Sequence, residues 1–540
     1  MMWNCRPGFL MCIAYIDPGN LEADLQTGVK TGYGLLWVLL WSTLLGYLLQ
    51  SLAAKLGVST MRHLAQHCRD KYPTGMRIML WIMAEMAIIG SDMQEVIGSA
   101  LALILLTGGG IPLWAGVLIG AVSAYVFLFL EKFGLRWLET FIQALVAVLG
   151  VCMTVIFFVA EVPYGQVIKG LLVPKLSAKS LPTATGLLGA VIMPHNLFLH
   201  SALVHERGIP VEYRSTTRES LKYYKIESAV ALLVTLGINT AVISVFSHGF
   251  HSQHKDMNIG LQNAGEYLGK RFGSSMAVVW AISLLSAGQS STMTGTYAGQ
   301  FVMSGFLNLK INAFKRSLIT RAVALVPTLF VALSAPTDNS NLDVLNQWIN
   351  ILQAIQLPFA TIPLLALTSD ASVVGLGFVN SKLTQVVSWA TSFLIIGINA
   401  GTAYQTAVDV LPRNIYIHVL FATVVVLYLG AVIWLLIMSR GTVKPRLAGE
   451  GQGVVPRVES TSIRDSLLVV NENEEMDVRM DEEAVQVAGA YVFPASSPTK
   501  NLKNLTPRSN PVSVASSRPV SSRQGALSSH AIDDDIDRSL

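Results

Sequence analysis

Asp17-Pro18-Gly19-Asn20 interrupts the first apolar segment of the chain, Gly8 to Val29, near its middle. A carboxylate at that depth of a bilayer is costly and by default marks a functional site. The Pro-Gly pair adds a second cost, because both residues interrupt helical hydrogen bonding and leave carbonyl groups without intrahelical partners. Such a break survives only where it lines a cavity. Met193-Pro194-His195-Asn196 repeats the pattern inside a later apolar segment, Leu181 to Val204. Two interrupted helices in corresponding places of two halves are the sequence pointer to a transporter's binding site.

The composition agrees with a membrane setting. Of 540 residues, 52% are hydrophobic and only 13% charged, with a mean hydropathy of +0.51. A soluble domain carries about 25% charged residues. The chain therefore reads as an all-α integral membrane protein. Its net charge of +4 is small for the length, and the basic residues fall in loops between apolar runs, so nucleic acid is not an expected partner. Cys5, Cys12, Cys68 and Cys152 are scattered, form no C-x-x-C pair and are expected to be free thiols. The first segment contains Asp17 and has only Arg6 before it, unlike a cleavable signal peptide, so it is expected to remain in the mature protein.

Stretches of about 20 apolar residues, enough to span a hydrocarbon core, occur twelve times: 8–29, 34–56, 76–106, 112–131, 138–160, 181–206, 226–248, 274–305, 317–335, 343–367, 383–402 and 415–439. An even count puts both termini on one side. The loops on that side carry 20 Lys and Arg against 8 on the other, which predicts cytoplasmic termini. Residues 1–440 form the expected transporter domain. Beyond Arg440, runs such as Asn471 to Glu475, Asp481 to Glu483 and Ser513 to Arg523 are rich in Ser, Pro and charge, so 441–540 reads as a disordered cytoplasmic tail. Asn504-Leu505-Thr506 is a glycosylation sequon by pattern only, on the wrong side of the membrane for that use.

Asp17, Asn20 and Met193 are the expected ion ligands. Asp and Asn offer hard oxygens, while a Met thioether is a soft donor that suits transition metals and attracts calcium or magnesium little. Unwound backbone at Ala14 and Ala190, each three residues before a break residue, adds carbonyl oxygens. Taken alone, Met193 would read as a core filler; one residue before Pro194 in a second broken helix, it reads as a ligand. A structural ion pair is the competing role for Asp17.

The third span holds Glu85, Asp92 and Glu95, whose spacings of seven and three put them along one side of a helix. Three intramembrane carboxylates suggest a proton route, with Arg207 and Arg321 as charge partners; a static network that fixes helix packing is the alternative. His195 and His200 lie five apart, poor spacing for gripping one ion from one helix. They read as hydrogen-bonding groups or proton acceptors rather than ligands. His248, His251 and His254 cluster in a loop on the other side and read as solvated.

On these residues the chain resembles the Nramp family, the natural resistance-associated macrophage proteins, which are proton-coupled divalent metal transporters. The resemblance covers nearly all of residues 7–439 and includes Pro7-Gly8-Phe9-Leu10 leading to Asp17-Pro18-Gly19-Asn20, Asp92-Met93-Gln94-Glu95-Val96-Ile97-Gly98, Met193-Pro194-His195-Asn196 and the run from Gly288 to Gln300. Leu56-Gly57-Val58 and Leu172-Val173-Pro174-Lys175-Leu176 look most similar to the plant-type branch. The resemblance implies a leucine-transporter-like fold, with spans 1–5 and 6–10 as inverted repeats and two helices appended. It implies metal binding at the positions of Asp17, Asn20, Met193, Ala14 and Ala190. A proton pathway is implied at those of Asp92, Glu95, His195, His200, Arg207 and Arg321, beside Glu85. The family often places a side-chain amide of the tenth span near the metal; Asn350 is the nearest match and Gln353 its rival. The family usually has a cytoplasmic tail before its first helix, and here six residues precede Pro7.

The expectation is a symporter that carries Mn2+ and Fe2+ into the cytoplasm with protons, across a vacuolar or plasma membrane. Metal ions, protons and the bilayer are its expected partners, with no cofactor, no enzymatic activity and a monomeric state. A metal sensor that signals through its tail is the alternative. An amino-acid symporter is disfavoured by the Met and the carboxylate at the breaks, and an intramembrane metalloenzyme by the want of an H-E-x-x-H motif.

Overall fold

The computed structural model describes residues 15–130, 135–205, 214–251, 259–308, 313–334, 340–410 and 414–440. Among them there is no strand. The long helices are α1 (Pro18–Thr31), α2 (Leu36–Thr60), α3 (Thr74–Leu106), α4 (Leu113–Leu130), α5 (Leu135–Val159), α6 (Leu181–Val191), α7 (Pro194–His205), α8 (Arg214–Phe250), α9 (Ser275–Leu307), α10 (Ala313–Ser334), α11 (Ser340–Thr368), α12 (Lys382–Gln405) and α13 (Ile415–Arg440). Each of the twelve expected spans holds one of these helices, and the sixth is divided between α6 and α7. The tail, its sequon, Cys5, Cys12, Ala14, Arg207 and His254 lie outside the described residues. Cys68 and Cys152 are free.

Seven helical stretches of the described residues are long and apolar enough to cross a bilayer, or eight if Gln143–Val159 and Tyr164–Leu172, bent by 116°, form one. Pro18–Thr60 counts once there although it holds two expected spans. The polar run Gln289 to Thr296 lowers the hydropathy of α9. A clearer difference is α8, expected from residue 226 and observed from Arg214. Hydropathy trims the polar turns Arg214 to Lys225, yet nothing in them breaks a helix, so the helix continues through them.

Burial separates core from lipid-facing helices. The stretch containing α6 and α7 is 94% buried, whereas α13 is 11% buried. Leu383, Val386, Tyr416 and Leu427 stand exposed on α12 and α13, as side chains bathed by lipid do. At the centre, α1 packs against α8, α6, α3 and α11, and α3 runs along α9. The α3–α9 pair joins the third and eighth expected spans, equivalent elements of the two repeats.

Both breaks have one local cause. Asp17 and Met193 each precede a proline, and a residue in that position is driven away from helical geometry. Asp17 is extended, with φ −104° and ψ 171°, and Pro18 opens α1 where its missing N–H is not needed. At the second break α6 ends at Val191, Ile192 has φ −111° and ψ 79°, and Pro194 opens α7. The Met193 carbonyl then accepts the Asn196 N–H at 3.2 Å.

Pro358 inside α11 leaves the Ala354 carbonyl without its helical partner. Asn399 of α12 supplies one, donating from Nδ2 at 2.8 Å. Asn399→Ala is therefore expected to destabilise the protein by about 1–3 kcal/mol, read as a lower unfolding temperature in detergent, with metal selectivity unchanged.

Candidate metal site

Asp17 divides its carboxylate between two tasks. Oδ1 caps α1, accepting the Asn20 backbone N–H at 2.7 Å and Asn20 Nδ2 at 2.9 Å. Oδ2 has no hydrogen-bond partner, and neither does Asn20 Oδ1, although both side chains are fully buried. Buried oxygens without donors are costly. Here two of them lie on residues three apart that are joined by hydrogen bonds, which is an arrangement a cation resolves. The start of α1 holds the Asp17 carboxylate through these hydrogen bonds, and the helix dipole favours its negative charge there.

The second break carries the one soft donor expected of the site, the Met193 thioether. Met193 and Ala190 are buried, and α6 packs directly on α1. Among the described residues no group of three or more His, Cys, Asp or Glu is placed to hold a metal ion. A site at the breaks therefore draws on one carboxylate, one amide, a thioether and backbone carbonyls. That donor set fits a transition metal better than calcium, which takes six to eight oxygens.

Asn350 of α11 stands where the two broken spans meet. Its Nδ2 donates to the Gly19 carbonyl at 3.1 Å, and its Oδ1 accepts from Gln94 Nε2 at 2.9 Å. Gly189 of α6 lies against its backbone, where a Cβ would meet Ala354 N at 2.8 Å. Gln353 lies one turn on, its Oε1 without a partner. A narrow cleft lined by Glu22, Gln26, Thr183, Gly186, Gln347 and Asn350 opens beside them.

Glu85, Asp92 and Glu95 are buried on α3. Asp92 and Glu95 face α9 at Gly295, where an added Cβ would lie 2.9 Å from Asp92 Oδ1 and 3.2 Å from Glu95 Oε1. The small residues of the run Gly288 to Gln300 thus admit two carboxylates against a neighbouring helix. Glu85 accepts from Trp81 Nε1 at 3.0 Å. On α7, His195 and His200 are buried; both ring nitrogens of His200 and Nδ1 of His195 have no hydrogen-bond partner. Arg321 belongs to α10, and its side chain is outside the described set.

Three features escaped the sequence. Asp24, two turns from Asp17, is completely buried and neither carboxylate oxygen has a partner. Glu22 and Asp343 both accept the Leu261 N–H, at 3.1 and 3.2 Å. Carboxylates five and seven residues beyond Asp17 were a signal for the first two, but Asp343 is joined to them only by the fold. His251, expected in a solvated loop, approaches the Val29 carbonyl through Nδ1 at 2.8 Å and satisfies the end of α1 instead.

Comparison with known proteins adds an independent line. The profile of the Nramp family, described as natural resistance-associated macrophage protein-like, matches residues 8–405. Metal transporter Nramp3 of Arabidopsis thaliana is 49% identical over 396 residues, 73% of this chain and 78% of the relative. The metal transporter nramp1 homolog of Dictyostelium discoideum is 50% identical over 393 residues, 73% of each. A crystal structure of the Eremococcus coleocola manganese transporter superposes with a TM-score of 0.72 at 30% identity, covering 80% of this chain and 94% of that one. Mhp1, a nucleobase-cation-symport-1 family transporter, is 16% identical with a TM-score of 0.50 over 79% of this chain and 92% of its own, a likeness of fold alone.

Proposed function

The chain belongs to the Nramp family, and from that premise we propose that it is a secondary transporter carrying divalent transition metal ions, Mn2+ and Fe2+, into the cytoplasm together with protons. The chain is an integral membrane protein of the leucine-transporter-like fold, and its relatives are metal transporters. The observation that carries the reading is the pair of breaks, with the unpartnered oxygens of Asp17 and Asn20 at one and Met193 at the other. An incoming ion exchanges part of its hydration shell for these donors, and the two repeats rock around that fixed point.

Protons travel by a separate set of groups in this proposal. Asp92 and Glu95 on α3 take and release them, His195 and His200 extend the set along α7, and Glu85, Arg207 and Arg321 complete it. In this proposal both termini are cytoplasmic, a reading supported by the excess of basic residues on one side, and a vacuolar or plasma membrane is the expected location. A monomer is the expected unit.

The test is Mn2+ uptake into proteoliposomes that enclose a pH-sensitive dye. Uptake accompanied by internal acidification supports the symporter, and Mn2+ binding without uptake favours a sensor. Met193→Ala gives a finer check. With the thioether gone, the preference for Mn2+ over Ca2+ is expected to fall by about tenfold in competition uptake, and an unchanged preference removes Met193 from the ligand set.

A further inference from the structure

Gln94 lies on α3 between Asp92 and Glu95, with 1% of its surface exposed. Its amide is used on every side. Nε2 donates to Asn350 Oδ1 at 2.9 Å and to the Asn346 carbonyl at 3.2 Å, while Oε1 accepts from Gln353 Nε2 at 3.4 Å. Positions 346, 350 and 353 are one face of α11, so one side chain grips that face over two turns. Its opposite side rests on the first break. A Cβ at Gly19 would sit 2.7 Å from Gln94 Cδ and 2.9 Å from its Nε2, so only glycine leaves room for the amide there.

The chain of bonds closes through Asn350. Because Asn350 Oδ1 accepts from Gln94, its Nδ2 must point away, and it donates to the Gly19 carbonyl at 3.1 Å. An amide fixed at both ends has one orientation. We propose that Gln94 is a positioning residue: it sets the orientation of the Asn350 amide against the first break and so links the ion site to the helix bearing Asp92 and Glu95. The inference rests on the transport reading above.

The link has a mechanical consequence. Sliding α11 past α3 breaks three hydrogen bonds of one buried side chain, leaving its donors and acceptor unsatisfied in the core. Movement of α11 is thereby tied to α3, where the proton-exchanging groups sit. An ion reaching Asp17 and a proton reaching Asp92 act on opposite ends of one amide chain.

The experiment measures Mn2+ uptake and internal acidification in proteoliposomes for wild type, Gln94→Ala, Gln94→Met, Gly19→Ala and the Gly19→Ala/Gln94→Ala double variant. Gln94→Met keeps the volume without the hydrogen bonds, and so serves if the alanine variant fails to fold. Gln94→Ala and Gln94→Met are expected to lower the uptake rate by about tenfold and to change the ratio of protons to metal, with Mn2+ binding retained. Gly19→Ala should reproduce this by displacing the amide. The double variant should be no worse than Gln94→Ala alone, since residues acting through one contact are not additive. A wild-type rate and ratio in Gln94→Met overturns the proposal, as does a double variant that loses the product of the two single effects. Absence of Mn2+ uptake by wild type overturns the transport reading itself, and the role of Gln94 with it.

Discussion

Asp17→Ala is expected to abolish Mn2+ uptake and the accompanying acidification, with a loss of Mn2+ affinity of about 100-fold or more. The charge of Asp17 is the largest single attraction the proposed site offers, and its Oδ2 has no other partner to lose. Alanine also removes the cap of α1, so a second variant separates the two effects. Asp17→Asn retains an oxygen able to accept the Asn20 N–H but carries no charge. If charge is what matters, it fails to bind Mn2+ while unfolding at a temperature near that of wild type. Normal Mn2+ binding by Asp17→Asn would move the site elsewhere along the breaks. Calorimetric titration and uptake on the same preparations give the answer.

Asp92→Asn is expected to reduce internal acidification by about tenfold or more while Mn2+ binding stays within about threefold of wild type. An amide fits the space beside Gly295 as the carboxylate does, but it cannot take up and release a proton at physiological pH. Proton and metal fluxes measured together decide the role. Equal loss of both would make Asp92 a member of a structural network, with the proton route running through other groups.

What the sequence revealed follows from how each signal is encoded. The breaks were legible because a proline and a polar or charged residue inside an apolar run contradict their surroundings locally. The same holds for the helices, whose positions follow from runs of about 20 apolar residues. Gln94 was not legible. A glutamine in a helix carries no local contradiction, and its meaning comes from Asn346, Asn350 and Gln353, which only the packing of α3 on α11 brings to it. The meeting of Glu22 and Asp343 at Leu261 is hidden for the same reason. The start of α8 was misjudged because hydropathy measures what lies in lipid, whereas helix continuity depends on backbone preference.

Those extra turns of α8 act as a brace. Arg214 to Lys225 continue the helix for 12 residues before the apolar stretch, a rod of about 18 Å at 1.5 Å per residue. Deeper down, the same helix packs on α1 and α2, with the Ile243 carbonyl and Ser247 seated against Gly28 of α1. Within those turns Leu221 and Tyr224 are buried against Ala54 and Val58 of α2 and Val204 of α7, so the rod is fastened to the bundle at both ends. A fluorophore or spin label attached at exposed Lys222 reports on whether that fastening holds when an ion binds, without touching either break.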